Sequence, residues 1–299
     1  VLERDFTIVC DRGCDLPPVY LERTRATIVG DVVRDSSGTV DEEALTQEFE
    51  RTYRSLVASG HTKIASVHSC SSFSPELSCA LAAAEAVRDL ADVRVVDSGS
   101  ASAGTGMVLF RLMCLWADGV GFDEAVETAR GLAQGIRLLV IPSASARMAR
   151  RPRRRSRFGL IGRAGASLRM RLSGERGLYL LSRGELTQLA RSSDLSDLTG
   201  RLAHAMSAVS AQEGALVYAS VEVGDGRALR VLEKPLDTNE FEARRLGSVR
   251  ATADVEKVVG SGAVGVAFAP ARDYWRVPEG IPEQARYSYA GSCDPSGSV

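Results

Sequence analysis

The chain has 299 residues, more than one compact core usually holds, so about two domains are expected. Hydrophobic residues at 44% and charged residues at 25% are ordinary globular usage and exclude a disordered chain. A formal net charge of -1 excludes a molecule-wide pull toward nucleic acid or anionic membrane.

The opening Val1-Leu2-Glu3-Arg4-Asp5-Phe6 has neither a basic nor an apolar leader region, so a secretory signal is not expected. No apolar run approaches the roughly 18–20 residues that cross a bilayer. The expected location is the cytoplasm, with the cysteines at 10, 14, 70, 79, 114 and 293 as reduced thiols. Cys10 and Cys14 lack a second pair or a neighbouring His, so a metal centre is not expected.

The first half alternates strand, loop and helix. Phe6–Cys10 is a β-branched run that turns through Asp11-Arg12-Gly13-Cys14-Asp15. Leu16-Pro17-Pro18 then opens a helix, with Asp15 as its cap. Lys63–His68 is a second strand and runs into the polar loop Ser69-Cys70-Ser71-Ser72-Phe73-Ser74. Pro75 starts a helix to Val87, with Ser74 read chiefly as its cap. Val93–Asp97 is a third strand, followed by Ser98-Gly99-Ser100-Ala101-Ser102 and a helix over 103–116. Phe122–Gly135 is a further amphipathic helix. This rhythm implies right-handed βαβ units and a mainly parallel sheet.

After an apolar Leu138–Ile141 come many arginines between Arg147 and Arg163, gathered around Pro152. Strands follow at 178–181, 215–223 and 264–268, with helices at 195–209 and 241–246. The fold class is α/β in two domains: a parallel-sheet, Rossmann-like domain over 1–136 and a mixed-sheet domain over 137–275. Residues 276–299, rich in Pro, Gly and Ser, are expected as a weakly ordered tail. The arginine segment is expected at the surface, because so many like charges resist burial without partners. Its chief readings are a solvated loop or a protein-partner surface, and the single Phe158 among the arginines argues against base stacking.

In open parallel sheets, ligands bind beyond the carboxyl ends of the strands. The loops 11–15, 69–74 and 98–104 all end there. Two are rich in serine and each precedes a helix N-terminus, an arrangement suited to a carboxylate or phosphate. Ser71 and Ser72 lie ahead of the cap and are free of capping duty. His61, His68 and His204 are scattered and, with no paired carboxylate or Cys expected nearby, read as structural, with His68, at a strand end, the one closest to the loops. No G-x-S-x-G or P-loop is present, and Gly104-Thr105-Gly106 is too short for a dinucleotide fingerprint, so a hydrolase or a nucleotide-dependent enzyme is disfavoured.

Four segments together resemble the DegV family of fatty-acid-binding proteins. Cys10–Pro17 is similar to its opening T-D-S-x-x-D-L-P, and Val96–Gly106 to its V-x-D-S-x-x-A-S-x-G-x-G. Ser66–Ser74, continued through Ala80, lines up without gaps on the S-I-x-I-S-S-G-L-S-G segment, and Gly260–Phe268 resembles the closing G-P-G-A-L-G-x-A-F. The resemblance implies a non-enzymatic protein without cofactor or metal that holds a long-chain fatty acid between its domains. It implies a separate fatty acid kinase subunit as partner, no membrane span and no nucleic acid. The carboxylate ligands of the family are a Thr and a Ser of the first domain, near a His of the second. The Ser falls on Ser71, with Ser72 and Ser98 beside it. The Thr segment T-S-Q-P-S is absent, leaving Thr39, or else Thr46, to stand in for it; the His position is Val258. The second reading is a divergent paralogue that has lost its ligand and acts as an interaction or regulatory protein.

Overall fold

The computed structural model of the protein describes residues 5–16, 26–30, 40–144, 146, 174–224, 226–238 and 241–276. Thr39, the arginine-rich segment 147–163, the helix expected from Leu16-Pro17-Pro18 beyond residue 16, and the tail beyond 276 lie outside them.

The first sheet has strands β1 (Thr7–Asp11), β2 (Thr27–Val29), β3 (Lys63–His68) and β4 (Asp92–Asp97), in the order β2-β1-β3-β4 and parallel throughout. The second has β5 (Arg137–Ile141), β6 (Arg176–Ser182), β7 (Glu185–Ser192), β8 (Leu216–Glu222), β9 (Ala243–Arg250) and β10 (Val264–Pro270), in the order β7-β6-β5-β10-β8-β9. Only β8 and β9 pair in parallel there; the other neighbours are antiparallel. One parallel and one mixed sheet make the expected two-domain α/β fold.

Helices α1 (Glu42–Ala58) and α2 (Glu76–Ala86) cover one face of the first sheet. Asp41 caps α1 by accepting the Ala44 N–H, and Leu45, Phe49 and Tyr53 form its buried stripe at a spacing of four. Helix α3 (Ala103–Ala117) lies between the two sheets, and every residue from Ala103 to Leu115 is buried. A helix that is apolar nearly all round belongs in such a central layer. It shares one core with α4 (Phe122–Ala133), Val67 and Val96 of the first sheet, and Val217, Ala219 and Val221 of the second. The far face of the second sheet is covered by α5 (Leu195–Glu213) and α6 (Arg227–Thr238). Two short helices, α7 (Ala253–Val259) and α8 (Ala271–Tyr274), flank β10. No described helix is long and apolar enough to cross a membrane.

Residues 241–246 correct the helical expectation, because they enter β9. Ala243-Arg244-Arg245-Leu246 has helix-forming composition, yet the edge of β8 supplies a parallel partner, pairing Leu216 with Ala243 through Glu222 with Arg250. Tertiary pairing outweighs local propensity here. The crossover helix is α6, whose Pro235 sits near its C-terminal end. The cap expected from Ser74 is also absent: Pro75 occupies the N-cap of α2, and no side chain bonds there.

Helix α3 approaches the first loop closely. A Cβ at Gly106 would fall inside contact distance of the Asp15 carbonyl oxygen and 3.3 Å from Leu16 Cγ. Gly106→Ala should therefore destabilise by about 1–3 kcal/mol through overpacking. Gly131→Ala in α4, where nothing lies within 4 Å of the added carbon, should instead stabilise by about 1 kcal/mol. Urea unfolding of the two variants checks the opposite signs.

Candidate functional site

The order β2-β1-β3-β4 places the topological switch point between β1 and β3, where an open parallel sheet forms its ligand crevice. The loops 11–15 and 69–74 flank it. At its floor, His68 Nδ1 lies 2.8 Å from Asp11 Oδ2, and His68 Nε2 lies 2.7 Å from Ser66 Oγ. Ser66 Oγ is in turn 2.9 Å from the Tyr53 hydroxyl. Asp11 also accepts the Gly13 N–H at 2.6 Å and the Ser69 N–H at 3.4 Å. The carboxylate of Asp11 is acceptor-only, so the His68 Nδ1–H donates to it. Nε2 on the other side of the ring shares a hydrogen bond with Ser66 Oγ, and Ser66 Oγ shares one with the Tyr53 hydroxyl.

All four side chains of this relay are buried, and Phe49 packs edge-on against the His68 ring at 5.1 Å. Burial raises the Tyr53 phenol well above its ordinary value. The order Asp–His–Ser looks like a nucleophilic triad, but Ser66 has no exposed surface from which to attack a substrate. The relay ties the two loops together and corrects the expectation that His68 lacks a paired carboxylate, since Asp11 reaches it from another strand; Asp11 also borders the outer cleft.

The predicted site residues separate. Ser71 and Ser72 are exposed at the loop tip. Ser72 Oγ is 3.1 Å from Cys70 Sγ. Ser98 is wholly buried, bonded to Thr105 Oγ1 at 2.8 Å and to the Ser100 carbonyl at 3.3 Å. Its hydroxyl is committed to holding the start of α3. Glu76 in the first turn of α2 is buried, and this burial, helped by nearby Asp11, pushes its carboxyl up. An anion at that helix end shares the space with Glu76.

Asp15 was missed by the sequence reading beyond a helix-cap role. It is 3% exposed, and its two carboxylate oxygens are divided between the domains. Oδ2 accepts from the hydroxyl of Ser102, the N-cap residue of α3, and Oδ1 accepts the Thr252 N–H at 3.0 Å. Loss of water pushes the Asp15 carboxyl up to about 6 despite these bonds, and Asp11 adds to the rise. The partners are far away in sequence, so no local pattern could announce them.

Among the described residues, spaces open along the seam between the sheets. The innermost is lined by Phe73, Ala101, Leu138, Val140, Val221, Val255 and their neighbours, and among the described residues Ser102 alone brings a side-chain polar atom to it. Beside it, Leu16, Met107, Phe110, Leu246 and Trp275 line a second, with Arg244 and Arg245. The outer cleft, about 620 Å³, is bordered by Arg12, Asp15, Ile28, Ser248 and Arg250.

A model of the DegV family, described as an uncharacterised protein family, matches residues 42–271. The chain belongs to the DegV family. No curated protein matches it. Among solved structures, DegV family protein Cg2579 from Corynebacterium glutamicum is similar at TM-score 0.73 and 19% identity, covering 92% of this chain and 99% of that one. A DegV family protein from Thermus thermophilus, described by its fatty acid binding, is similar at 0.70 and 20%, covering 90% and 100%. A stearic-acid-binding protein from Eubacterium ventriosum follows at 0.69 and 16%, covering 90% and 99%. Within this DegV fold, Val258 packs in an apolar cluster with Val140, Val255 and Val259 that also includes Phe73 of the first domain. The second domain thus presents hydrocarbon to the 69–74 loop, and Val258 has no donor to offer.

Proposed function

We propose that the protein holds a long-chain fatty acid in the seam between its two sheets. The observation that carries this reading is the apolar cavity, built from both domains and ending at Phe73 beside the exposed Ser71-Ser72 pair. The acyl chain lies along Leu138, Val140, Val221 and Val255, and the carboxylate meets the 69–74 loop with Ser71 as its donor. Ser72 flanks it, and Thr39 is the proposed stand-in for the missing threonine. Fatty acid binding by the Thermus and Eubacterium relatives supports the ligand class.

The hydrocarbon dominates the energetics. Ten buried methylenes contribute about 8 kcal/mol before association costs. A hydrogen bond to the charged head contributes only about 1.5–3 kcal/mol. Ser71→Ala should therefore weaken binding about tenfold to a hundredfold without eliminating it. Native mass spectrometry of freshly purified protein, with titrations of wild type and Ser71→Ala, tests this. Absence of any bound or bindable fatty acid overturns the reading in favour of a ligand-free interaction protein.

The partner in this proposal is a separate fatty acid kinase subunit in the cytoplasm, to which the loaded protein presents its carboxylate. Val258 cannot orient that carboxylate, and phosphoryl transfer depends chiefly on positioning and charge stabilisation. Val258→His should raise transfer in a kinase assay more than it raises affinity. Equal gains in both would show that the position serves binding alone.

A further inference from the structure

The innermost cavity and the outer cleft are separated by one polar contact. Ser102 lines the cavity, and Asp15 lines both outer spaces. The bond between them is the wall, and the bond from Asp15 to the Thr252 N–H ties that wall to the second domain. Ala219 lines the middle space and Val221 the inner one, both on β8. Residues two apart point to the same face of a strand, so the two spaces adjoin along one apolar surface about 7 Å apart. The inner cavity has a volume of about 20 Å³, room for about one water. The middle space has about 50 Å³. Neither admits an acyl chain until the seam parts; the Tyr274 hydroxyl, which donates to the Met107 carbonyl at 3.1 Å, and the Gly184 N–H, which donates to the Gly99 carbonyl at 2.7 Å, tie the domains elsewhere along it. Ser102 itself sits at φ 51, ψ -130, a backbone conformation sparsely populated by residues other than glycine. The Asp15 bond holds it there.

We infer that Asp15 is the clasp of a gate: its bonds to Ser102 and Thr252 break and re-form as the seam opens, so Asp15 sets how fast ligand enters and leaves. Asp15 is a positioning residue in this scheme and touches no ligand atom. The ligand half of the inference rests on the fatty-acid reading above; the opening of the seam does not.

The charged surroundings give the gate a direction. Asp11 and Cys14 face Asp15 from its own loop, and Arg12 shares the outer cleft. From β9, Arg244, Arg245 and Arg250 line the same spaces. Asp254 and Glu256 stand in the first turn of α7, which Thr252 caps. Burial outweighs these charges and holds the carboxyl at about 6. An opened seam returns Asp15 to water and toward its ordinary value of 3.8, so opening grows as the pH rises through about 6. The limit is about a hundredfold.

Amide hydrogen exchange at Thr252, corrected for the intrinsic pH effect, tests the clasp without ligand. Wild type should show protection that falls between pH 5 and pH 7.5. Asp15→Asn can accept from the Thr252 N–H and, with the Ser102 bond reversed, donate to Ser102 Oγ without charge, and should keep flat protection. Asp15→Ala and Ser102→Ala should lose about tenfold or more. An unprotected Thr252 amide in wild type, or equal protection in Asp15→Ala, overturns the clasp. Stopped-flow mixing with a fluorescent polyene fatty acid then tests the gate. Asp15→Ala should speed both association and dissociation about tenfold while Kd stays within about threefold. Unchanged rates in a variant that has lost protection overturn the gate. A change in dissociation alone also overturns it, since Asp15 would then be a ligand contact. Failure of wild type to bind the polyene overturns the fatty-acid reading and the gate's loading role with it, while exchange still decides the clasp.

Discussion

His68→Ala is expected to lower the free energy of unfolding by about 3–5 kcal/mol, the usual loss when one partner of a buried charged contact is removed. Asp11, 2% exposed, would keep a carboxylate with the Gly13 and Ser69 N–H groups and the weak Cys14 thiol as donors. Ser66 and Tyr53 would lose the ring nitrogen at the end of their relay, and Phe49 would face a cavity where the ring had been. Ser66→Ala removes less, about 1–3 kcal/mol, since it leaves the His68–Asp11 contact in place. Urea unfolding gives both values. The control is ligand affinity at a denaturant-free temperature where the variant remains folded. A structural relay predicts a Kd within about threefold of wild type. Intact stability together with lost binding would instead assign His68 to the head group and remove the structural account.

The sequence carried the catalogue of strand ends well and the distant pairings poorly. Thr7–Asp11, Lys63–His68 and Asp92–Asp97 announce themselves because β-branched runs end in polar, glycine-bearing loops. The 96–106 segment was legible for the same reason, and its Gly106 has a visible cause in the close approach of α3 to Asp15, while Gly104 lies against Ser100. Strand β7 was not legible: it is largely exposed and has neither apolar alternation nor β-branched enrichment. What forms it is the two-residue Arg183-Gly184 turn, with φ of 50 and 75, which folds it back on β6. Strand β9 was misread because its partner edge is a tertiary fact. The site shows the same division. Ser71 and Ser72 could be named from a loop pattern, but no spacing rule shows that Ser98 is spent on Thr105. Nor does one link Asp15 to Thr252 across 237 positions.

That link has a pH signature in stability. A carboxyl held at about 6 in the folded protein binds its proton more tightly than the same group at 3.8 in the unfolded chain. The sign follows from linkage: stability contributed by Asp15 is fully present below about pH 3.8 and is lost as the pH rises through about 6. The gap corresponds to about 3 kcal/mol. Other acids also titrate across this range, so the informative quantity is the difference between wild type and Asp15→Asn. The amide keeps a carbonyl for the Thr252 N–H and offers an N–H to Ser102 Oγ, yet never ionises. The two proteins should be about equally stable at pH 4, and Asp15→Asn should gain toward about 3 kcal/mol over wild type by pH 7.5. Asp15→Ala should lose at pH 4, where both hydrogen bonds still matter, and recover part of the loss at pH 7.5, where wild type bears a desolvated charge. Urea unfolding of the three proteins at pH 4, 5, 6 and 7.5 measures this. A wild type that outlasts Asp15→Asn at pH 7.5 would mean that the bonds from Ser102 and Thr252 outweigh the loss of water, and the carboxyl would then sit below 3.8 in the closed seam.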